Sequence, residues 1–288
     1  MAAAPRVLVI GATGTNGREV VRRLSASGHQ VRAMVRSTAK AEGLRLPNVE
    51  LVHGELDDPA ALDRAFNGVS RALVVTAADE RAGGWFHNAF AAAKRAGNAH
   101  VVKLSGLAVR VAESALSRQH AETDAELQAS GLPYTILRPN SFYQNMLWSA
   151  GTIKDHGAFY LPMRASRQSL VDVRDIAAVA ATALTEPGHD GQVYEITGPE
   201  LLSYADVAAT LSRVLGKPIR YVDVPPEAAR DAMLKAGMPV WNVDAFTAMS
   251  EAFAAGRFEY TTDVVERVTG QPPIRFEQFV REHAVAFA

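Results

Sequence analysis

Residues 7–17 read VLVIGATGTNG and decide the fold. The four apolar residues before Gly11 are typical of a buried parallel strand, and a helical pattern starts at Arg18. Glycine at Gly11, Gly14 and Gly17 lets the chain turn tightly and lets its backbone approach a phosphate. The helix that follows offers free N–H groups and the positive end of its dipole. The segment therefore predicts a phosphate-binding turn, with a turn that binds nothing as the alternative.

Composition bounds the class of protein. The chain has 288 residues, a formal net charge of −1 and 48% hydrophobic residues, as expected for a globular protein. It has no cysteine, which excludes disulfides, thiolate metal sites and a cysteine nucleophile, and we expect no metal site. Nothing in the charge points to nucleic acid or an anionic membrane as a partner. Met1–Pro5 is too short and uncharged for a signal peptide, so we expect a cytoplasmic protein, with monomer and homodimer both open.

Apolar strands alternate with helical patterns through the first half of the chain. The predicted strands are Arg6–Ile10, Gln30–Val35, Val49–His53, Ala72–Thr76, His100–Leu104 and Tyr134–Leu137. The predicted helices are Asn16–Ser27, Pro59–Phe66, Trp85–Ala96 and Ser117–Ser130. Each of these helices ends close to a glycine, which is a natural C-cap. Repeated β-α units of this length predict an α/β Rossmann fold, with a doubly wound parallel sheet covered on both faces.

The regular alternation stops after Pro139. Residues 140–170 are rich in aromatic and turn-forming residues. Strand and helix patterns then return in Val171–Leu184, Gln192–Ile196, Ser203–Leu215 and Ile219–Val224. We therefore expect residues 1–139 to form the Rossmann core. Residues 140–288 are expected to form a small, discontinuous substrate lobe, with some of its strands and helices returning to the core.

The end of the second strand indicates which dinucleotide the turn would hold. An acidic residue there binds the ribose 2′-hydroxyl of NAD, whereas an arginine binds the 2′-phosphate of NADP. This strand ends at Arg36 and Ser37, and no acid occurs before Glu42. Because a guanidinium offers a fork of donors to a phosphate, we expect NADP(H) to be preferred, with NAD(H) also allowed. The alternative is a solvated arginine at a strand end.

Further cofactor contacts are expected at the carboxyl ends of the strands. Glu55 and Leu56 follow the third strand, where such folds meet the adenine. Thr76 and Ala77 end the fourth strand, and their small size lets the backbone lie against the pyrophosphate and the nicotinamide ribose. The other expected cofactor contacts are Thr13, Thr15, Asn16, Lys103, Pro139 and Asn140.

Five segments resemble the NmrA-like group of the atypical short-chain dehydrogenase/reductase superfamily. They are residues 11–17 (GATGTNG), 31–36 (VRAMVR), 130–145 (SGLPYTILRPNSFYQN), 171–177 (VDVRDIA) and 270–279 (GQPPIRFEQF). The resemblance runs over the whole chain, and the third segment is the most specific. The group includes NADPH quinone oxidoreductases, dye reductases and redox-sensing regulators. The resemblance thus implies a Rossmann fold that binds NAD(P)H.

The chain departs from the wider superfamily at the catalytic positions. Those enzymes reduce ketones with a serine after the fifth strand and a tyrosine and a lysine, four residues apart, on the next helix. Here the latter two positions hold Leu116 and His120, and the serine position falls near Ser105-Gly106, by count on the glycine. The resemblance implies a site without the tyrosine, as is common in the NmrA-like group. His120 and Lys103 are the expected assisting residues, the alternatives being a surface histidine and a lysine that reaches solvent.

A site without the tyrosine suits a conjugated acceptor. Hydride transfer to a ketone gives an alkoxide whose conjugate acid has a pKa of about 16, close to that of water. A quinone gives an anion of phenolic acidity, with a pKa of about 10. At 1.36 kcal/mol per pKa unit, the difference is about 8 kcal/mol in favour of the quinone.

Aromatic and amide residues beyond the sixth strand are expected to line the acceptor pocket, since flat acceptors bind in apolar, aromatic clefts. They are Asn140, Phe142, Tyr143, Asn145, Trp148 and Trp241. The alternative is that the aromatic residues form the core of the lobe.

Three functions remain open from the sequence. The first is an NAD(P)H-dependent reductase that passes hydride to a quinone-like or other small aromatic acceptor. The second is a regulator of the NmrA type, which senses NADP(H) without catalysis. The third is a biosynthetic reductase or isomerase for one aromatic metabolite. The absent tyrosine fits the first two functions equally well, and the aromatic residues after Pro139 favour the enzyme.

Overall fold

The computed structural model describes residues 6–97 and 99–288. Its strands are β1 (Arg6–Ile10), β2 (Val31–Val35), β3 (Val49–His53), β4 (Val69–Val74), β5 (His100–Leu104), β6 (Tyr134–Pro139), β7 (Ala158–Leu161), β8 (Arg167–Gln168), β9 (Gln192–Ile196), β10 (Leu202–Ser203) and β11 (Arg220–Asp223). Its α-helices are α1 (Thr15–Ala26), α2 (Pro59–Phe66), α3 (Ala82–Arg95), α4 (Ala115–Ala129), α5 (Ala150–His156), α6 (Val173–Thr185), α7 (Tyr204–Leu215), α8 (Pro226–Lys235), α9 (Val240–Ala254), α10 (Val264–Thr269), α11 (Phe276–Glu282) and α12 (Ala284–Phe287). Within the described residues, none of these helices combines the length and the apolar character that crossing a membrane requires.

Seven strands form one sheet, in the order β3-β2-β1-β4-β5-β6-β9. The neighbours from β3 to β6 pair in parallel. Four of the five residues of β1 and all five of β2 are buried, which explains their nearly continuous apolar sequence. The predicted α/β Rossmann fold is confirmed. Because the strand order reverses between β1 and β4, their carboxyl ends flank the crevice where such sheets bind ligands.

The chain divides into two compact units. The first contains the described residues up to Gly106, together with Gln119–Arg138 and Ile176–Tyr194. The second contains Leu107–Arg118, Pro139–Asp175 and Glu195–Ala288. One border between the units lies beside residue 139, where the sequence predicts the division. The returning residues 176–194 belong to the first unit, because β9 is a strand of the large sheet.

The first unit has an apolar core between its sheet and its helices. Phe66 of α2 and Phe86 and Phe90 of α3 are buried in one cluster with Leu8 and Ile10 of β1. The rings of Phe86 and Phe90 lie 5.9 Å apart, one helical turn along α3. This packing fixes α3 against the sheet, and Phe86 recurs below as a wall of the candidate site.

The second unit has an aromatic core of its own. Tyr143 is completely buried there, with its ring 5.1 Å from Phe276 and 5.5 Å from Phe279. Phe159 of β7 packs 6.2 Å from Tyr204 of α7. Two short sheets complete this unit, a parallel pair of β7 and β11 and an antiparallel pair of β8 and β10.

Two elements start three residues earlier than predicted. The strand predicted at Ala72–Thr76 is β4, which starts three residues earlier and includes Arg71. This arginine is tolerated because its Nη1 donates to the Glu186 carbonyl oxygen, at 2.8 Å, just beyond the end of α6. The helix predicted from Trp85 is α3, whose first turn contains two weak helix formers, Gly83 and Gly84.

Candidate functional site

The turn between β1 and α1 requires glycine at two of its three glycine positions. Gly11 has a φ of +79°, and a Cβ there would lie 2.3 Å from the Val75 carbonyl oxygen. A Cβ on Gly17 would lie 2.2 Å from the Gly11 carbonyl oxygen. Both distances are far below those of ordinary contacts between non-bonded atoms. The fold itself therefore requires these two glycines, one for the turn and one for close packing of α1 on β1.

Gly14 is a different case, because the fold constrains it less than the other two glycines. Its φ is −72°, and a Cβ there would meet only the Gly11 carbonyl oxygen, at 3.3 Å. Gly14 is the N-cap of α1 and is exposed together with Thr13 and Thr15. The first backbone N–H groups of any helix lack intrahelical partners, and Gly14 has no side chain that could cap those of α1. An open glycine at a helix N-terminus is what a bound phosphate requires.

Asn16 adds an unpaired polar group to the same turn. It is only 8% exposed, and its carboxamide oxygen has no hydrogen-bond partner in the part of the chain that the structure describes. A buried polar atom without a partner costs about 1–3 kcal/mol. The oxygen and nitrogen of a carboxamide are assigned from their hydrogen bonds, so the unpaired end can equally be the donor. This side chain is available to a ligand of the turn.

The end of β2 presents a cation. Arg36 is exposed and makes no hydrogen bond or ion pair within residues 6–97 and 99–288. Ser37, directly after it, is partly buried. A guanidinium without a protein partner can bind a phosphate through two parallel hydrogen bonds. The structure thus leaves Arg36 available for the role expected from the sequence, which stays a prediction.

The loops after β3 and β4 lie at the same edge of the sheet as the glycine turn. Glu55 is exposed and Leu56 is partly buried, with its carbonyl oxygen 2.9 Å from Nδ2 of Asn88, which donates to it. Thr76 is partly buried and Ala77 is exposed. Their contacts with a dinucleotide stay predictions.

Lys103 is buried in the interior of the first unit. It lies in β5, and its side chain is 0% exposed. Its Nζ donates to Oδ1 of Asp124 on α4 at 2.6 Å, and it lies 4.4 Å from the centre of the Phe86 ring. The alternative in which this lysine reaches solvent from the strand end is wrong, because a carboxylate on α4 pairs with it inside the protein.

Asp124 joins two strands to α4. Its Oδ2 accepts a hydrogen bond from Oγ of Ser105, at 3.0 Å, and another from Nε of Arg138, also at 3.0 Å. Arg138 lies in β6, and its Nη2 is 2.9 Å from the same oxygen. Two cations, Arg138 and Lys103, therefore share one buried carboxylate. The residues of this network all belong to the first unit.

His120 lies one turn before Asp124 on α4 and is partly buried. Its ring lies 5.9 Å from that of Phe86, and its Nδ1 is 3.4 Å from Nζ of Lys103. Burial, with a smaller effect from the Lys103 charge, lowers the pKa of His120 to about 3. Burial also lowers the pKa of Lys103 to about 8, against the opposing effect of Asp124. At pH 7 the imidazole is therefore neutral and the lysine mainly charged.

The other superfamily positions carry no free acid. Leu116, at the tyrosine position, is partly buried, and α4 contains no tyrosine. Ser105 is 7% exposed and donates its hydroxyl to Asp124. At the positions expected for the tyrosine and the lysine, α4 therefore has an apolar side chain and an imidazole that contacts Lys103.

Asn140 and Tyr143 are held by the second unit itself. Asn140 is 2% exposed, and its Nδ2 donates to Oγ of Ser169 at 2.8 Å. The hydroxyl of Tyr143 donates to the Ile274 carbonyl oxygen at 3.2 Å. Burial raises the pKa of Tyr143 far above its usual value. Tyr143 is therefore part of the aromatic core, the alternative left open by the sequence, rather than part of a pocket wall.

The remaining residues expected at the acceptor vary in exposure. Phe142, Asn145 and Trp241 are partly buried, whereas Trp148 is 76% exposed. Phe142 precedes the 3₁₀ helix Tyr143–Ser149, which carries both Asn145 and Trp148. Their contact with an acceptor stays a prediction.

Sequence reasoning missed Asp124. One local signal marks it, since it follows His120 by four residues and so lies on the same face of α4. Arg138 stands inside the most group-specific segment, residues 130–145, but the segment does not say what this arginine binds. The ion pair itself joins residues 21 positions apart, which no periodicity reveals.

Three features of the first unit together fit a dinucleotide. Gly14 is exposed between two glycines that the fold requires, Asn16 keeps an unpaired carboxamide end, and Arg36 has no partner among the described residues. The first two suit a pyrophosphate at the N-terminus of α1, and the third suits a further phosphate at the end of β2.

Comparisons with known proteins give matches over nearly the full length. The model of the NmrA-like family matches residues 4–276. The chain is 40% identical to the NAD(P)H azoreductase of Xenophilus azovorans, over 98% of this chain and 99% of that protein. It is 38% identical to the (4-alkanoyl-5-oxo-2,5-dihydrofuran-3-yl)methyl phosphate reductase of Streptomyces griseus, with 98% and 99% covered.

A solved structure shares the fold. The crystal structure of the NADPH-dependent quinone oxidoreductase of Escherichia coli in complex with NADPH has a TM-score of 0.88 to this chain, with 27% sequence identity. The match covers 97% of this chain and 99% of that one. The resemblance carried by the five sequence segments is therefore confirmed.

Proposed function

The chain belongs to the NmrA-like family, and on that premise we propose that it is an NAD(P)H-dependent reductase of quinone-like and other conjugated aromatic acceptors. The exposed Gly14 carries the dinucleotide part of this proposal, because a side chain there would stand between a phosphate and the first N–H groups of α1. The absence of a tyrosine from α4 carries the acceptor part.

The cofactor is held by the carboxyl edge of the sheet in the first unit. The N–H groups at the start of α1 and the Asn16 carboxamide bind the pyrophosphate. Arg36, with Ser37, binds the 2′-phosphate, so NADP(H) is preferred and NAD(H) is accepted more weakly. The names of two relatives support this assignment, since one is an NAD(P)H azoreductase and another was solved with NADPH. Glu55, Leu56, Thr76 and Ala77 supply the adenine and ribose contacts.

The acceptor class follows from the acid that the site lacks. When bound, the reduced nicotinamide supplies a hydride. A quinone-like acceptor then carries its negative charge as a phenolate-like anion, whose protonation is easier than that of an alkoxide by about 8 kcal/mol. A neutral hydrogen-bond donor is sufficient for such an anion, and His120 is the donor that we assign.

The acceptor contacts in this proposal are those expected from the sequence. Phe142 and Trp241 offer apolar rings to a flat acceptor, and Asn145 offers a carboxamide to its polar atoms. Trp148, which is 76% exposed, offers a further aromatic ring.

A cofactor-consumption assay tests the function. The protein is mixed with NADPH and either 1,4-benzoquinone, an azo dye or cyclohexanone, and the absorbance of reduced nicotinamide is followed against a protein-free control. We expect consumption with the quinone and the dye and none with cyclohexanone, which has the same ring size but no conjugation. Tight NADPH binding without consumption across the conjugated panel would overturn the reductase assignment, and would fit a protein that senses NADP(H).

A further inference from the structure

We propose that Lys103 is a positioning residue that holds the His120 ring in the tautomer with its proton on Nε2, so that α4 presents a neutral N–H donor to the acceptor. The catalytic consequence rests on the proposed reductase function, whereas the tautomer is a property of the first unit alone. Lys103, expected from the sequence to assist catalysis, thereby acts through His120 instead of touching the acceptor.

The donor and acceptor chemistry of the two groups decides the tautomer. A lysine ammonium has three donors and no acceptor, so any hydrogen bond between it and His120 needs a lone pair on the imidazole. The nitrogen that faces Lys103 is Nδ1, at 3.4 Å from Nζ. Nδ1 must then be unprotonated, and in a neutral ring the proton is on Nε2.

The surroundings keep Lys103 charged although it is buried. Three elements face its ammonium: α4 with Asp124 and His120, α3 with the Phe86 ring, and β6 with Arg138, which binds the far side of Asp124. The carboxylate and the aromatic face both attract the cation. Because burial leaves the pKa of Lys103 at about 8, the ammonium form dominates at pH 7.

The ion pair with Asp124 does not by itself explain the lysine. Arg138 already contributes a full positive charge to Asp124 through two nitrogens, Nε at 3.0 Å and Nη2 at 2.9 Å. With Arg138 in place, Lys103 is a second cation on one carboxylate. Its other polar neighbour is His120, so the imidazole is where the second cation has an effect of its own.

A neutral imidazole with its proton on Nε2 matches the proposed chemistry. The depressed pKa of His120, about 3, means that the ring does not become an imidazolium under ordinary conditions. It therefore acts as a hydrogen-bond donor to developing negative charge, as a neutral imidazole can at an active site. The opposite tautomer would aim its proton at the ammonium and leave Nε2 as an acceptor, which would repel an anionic product.

Nitrogen-15 NMR of histidine-labelled protein tests the tautomer without any activity. A protonated and an unprotonated ring nitrogen have well-separated shifts, and the His120→Gln variant assigns the His120 signals among the eight histidines. We expect the wild-type ring to carry its proton on Nε2 at pH 7. We expect Lys103→Met, which has similar volume and leaves the Asp124–Arg138 pair intact, to shift it towards a mixture of tautomers. A wild-type ring with its proton on Nδ1, or a spectrum unchanged in Lys103→Met, would overturn the proposal.

A double-mutant cycle tests the consequence for turnover. Glutamine at position 120 keeps an N–H donor near the place of Nε2 but has no tautomer, so it serves as the matched background. We expect His120→Ala to lower kcat about a hundredfold, as expected for loss of one preorganised donor, and Lys103→Met to lower it about tenfold. In the His120→Gln background, Lys103→Met should add less than about twofold. An equal loss in both backgrounds would assign Lys103 a merely structural role.

The pH profile gives an independent readout. Lys103 loses its proton as the pH rises through about 8, and the amine that remains can accept as well as donate. We therefore expect kcat to fall above about pH 8 in the wild type and this alkaline limb to be absent from Lys103→Met. If the protein consumes no NADPH at all, the reductase assignment fails while the NMR result still decides the tautomer. If turnover is normal but the proton is on Nδ1, only the present inference fails.

Discussion

Substitution of Gly14 by alanine tests whether the glycine is required for ligand binding or for folding. The structure gives Gly14 an ordinary φ of −72°, with the Gly11 carbonyl oxygen 3.3 Å from a new Cβ. Alanine is a poorer N-cap than glycine, by up to about 1 kcal/mol. It also restricts the unfolded chain, which contributes about 0.4–1 kcal/mol in the opposite direction. We therefore expect Gly14→Ala to change the free energy of unfolding by less than about 1 kcal/mol.

The effect on binding is expected to be much larger. A methyl group at Gly14 stands between the N-terminus of α1 and a phosphate, so it displaces the phosphate from the backbone N–H groups. Loss of two hydrogen bonds to a charged group, at about 1.5 kcal/mol each, amounts to about 3 kcal/mol. The Kd for NADPH should accordingly rise about a hundredfold.

Two further alanine variants supply the comparison. In Gly17→Ala, the Cβ at 2.2 Å from the Gly11 carbonyl oxygen forces α1 off β1, so we expect a loss of at least about 3 kcal/mol in stability. In Gly151→Ala on α5, the Cβ meets nothing within 4 Å, so neither stability nor binding should fall. Thermal melts and fluorescence titrations with NADPH measure both quantities. If Gly14→Ala binds NADPH as tightly as the wild type, the turn does not hold the phosphates; if it unfolds instead, the steric argument is wrong.

Two other predictions concern arginines. Arg36→Ala should raise the Kd for NADPH at least about tenfold, through loss of a charge-assisted hydrogen bond, and leave that for NADH within about twofold. Equal losses in the two titrations would refute the assignment of the 2′-phosphate to Arg36. Arg32→Met should lower the free energy of unfolding in urea by about 2–4 kcal/mol, because Nη1 of Arg32 donates to the carbonyl oxygens of Ala65 and Asn67, both at 2.8 Å. The exposed Arg64→Met control should cost less than about 0.5 kcal/mol, and a similar loss in both variants would contradict the role of Arg32 as a buried cap.

The features that the sequence predicts well are those with a local signal. β1, β3, β5 and β9 occupy the predicted residues, because each is a short apolar run between turn residues. The glycine turn is equally local, since its three glycines, the strand before it and the helix after it are contiguous. The position of Arg36 directly after β2 is also a local feature, because it follows from the bounds of that one strand.

Charged residues inside buried strands are difficult to interpret from the sequence alone. Arg71 shortened the prediction for β4, since an arginine in a central strand looks like a turn or an edge. The guanidinium is accommodated only because α6, more than a hundred residues later, ends where its carbonyl groups can accept from Arg71. The bounds of β5 are predicted correctly although it contains Lys103, but the partner of that lysine, a carboxylate on α4, is not predicted. Both partners come from tertiary packing, which residue periodicity does not encode.

The aromatic residues after β6 show a different limit. Density of rings predicts equally a core and a pocket for a flat ligand, because both require the same apolar surface. Tyr143 belongs to the core, where its hydroxyl donates to the carbonyl oxygen of Ile274, 131 residues later in the chain. Trp148 lies five residues along the chain and is 76% exposed. Two aromatic residues of the same segment thus have opposite environments, and only the structure shows which one is buried.

The buried charges around Asp124 are hard to explain by stability. Replacing a buried ion pair with apolar residues of similar volume is often neutral or stabilising, because desolvation offsets the attraction between the charges. A methionine or leucine in place of Lys103 would suit the centre of β5, where Val101 and Val102 are completely buried. Lys103 also lies within reach of the one histidine on α4, since its Nζ is 3.4 Å from Nδ1 of His120. A cation that stability does not require, held beside an imidazole that stays neutral, is best explained by what it does to that imidazole.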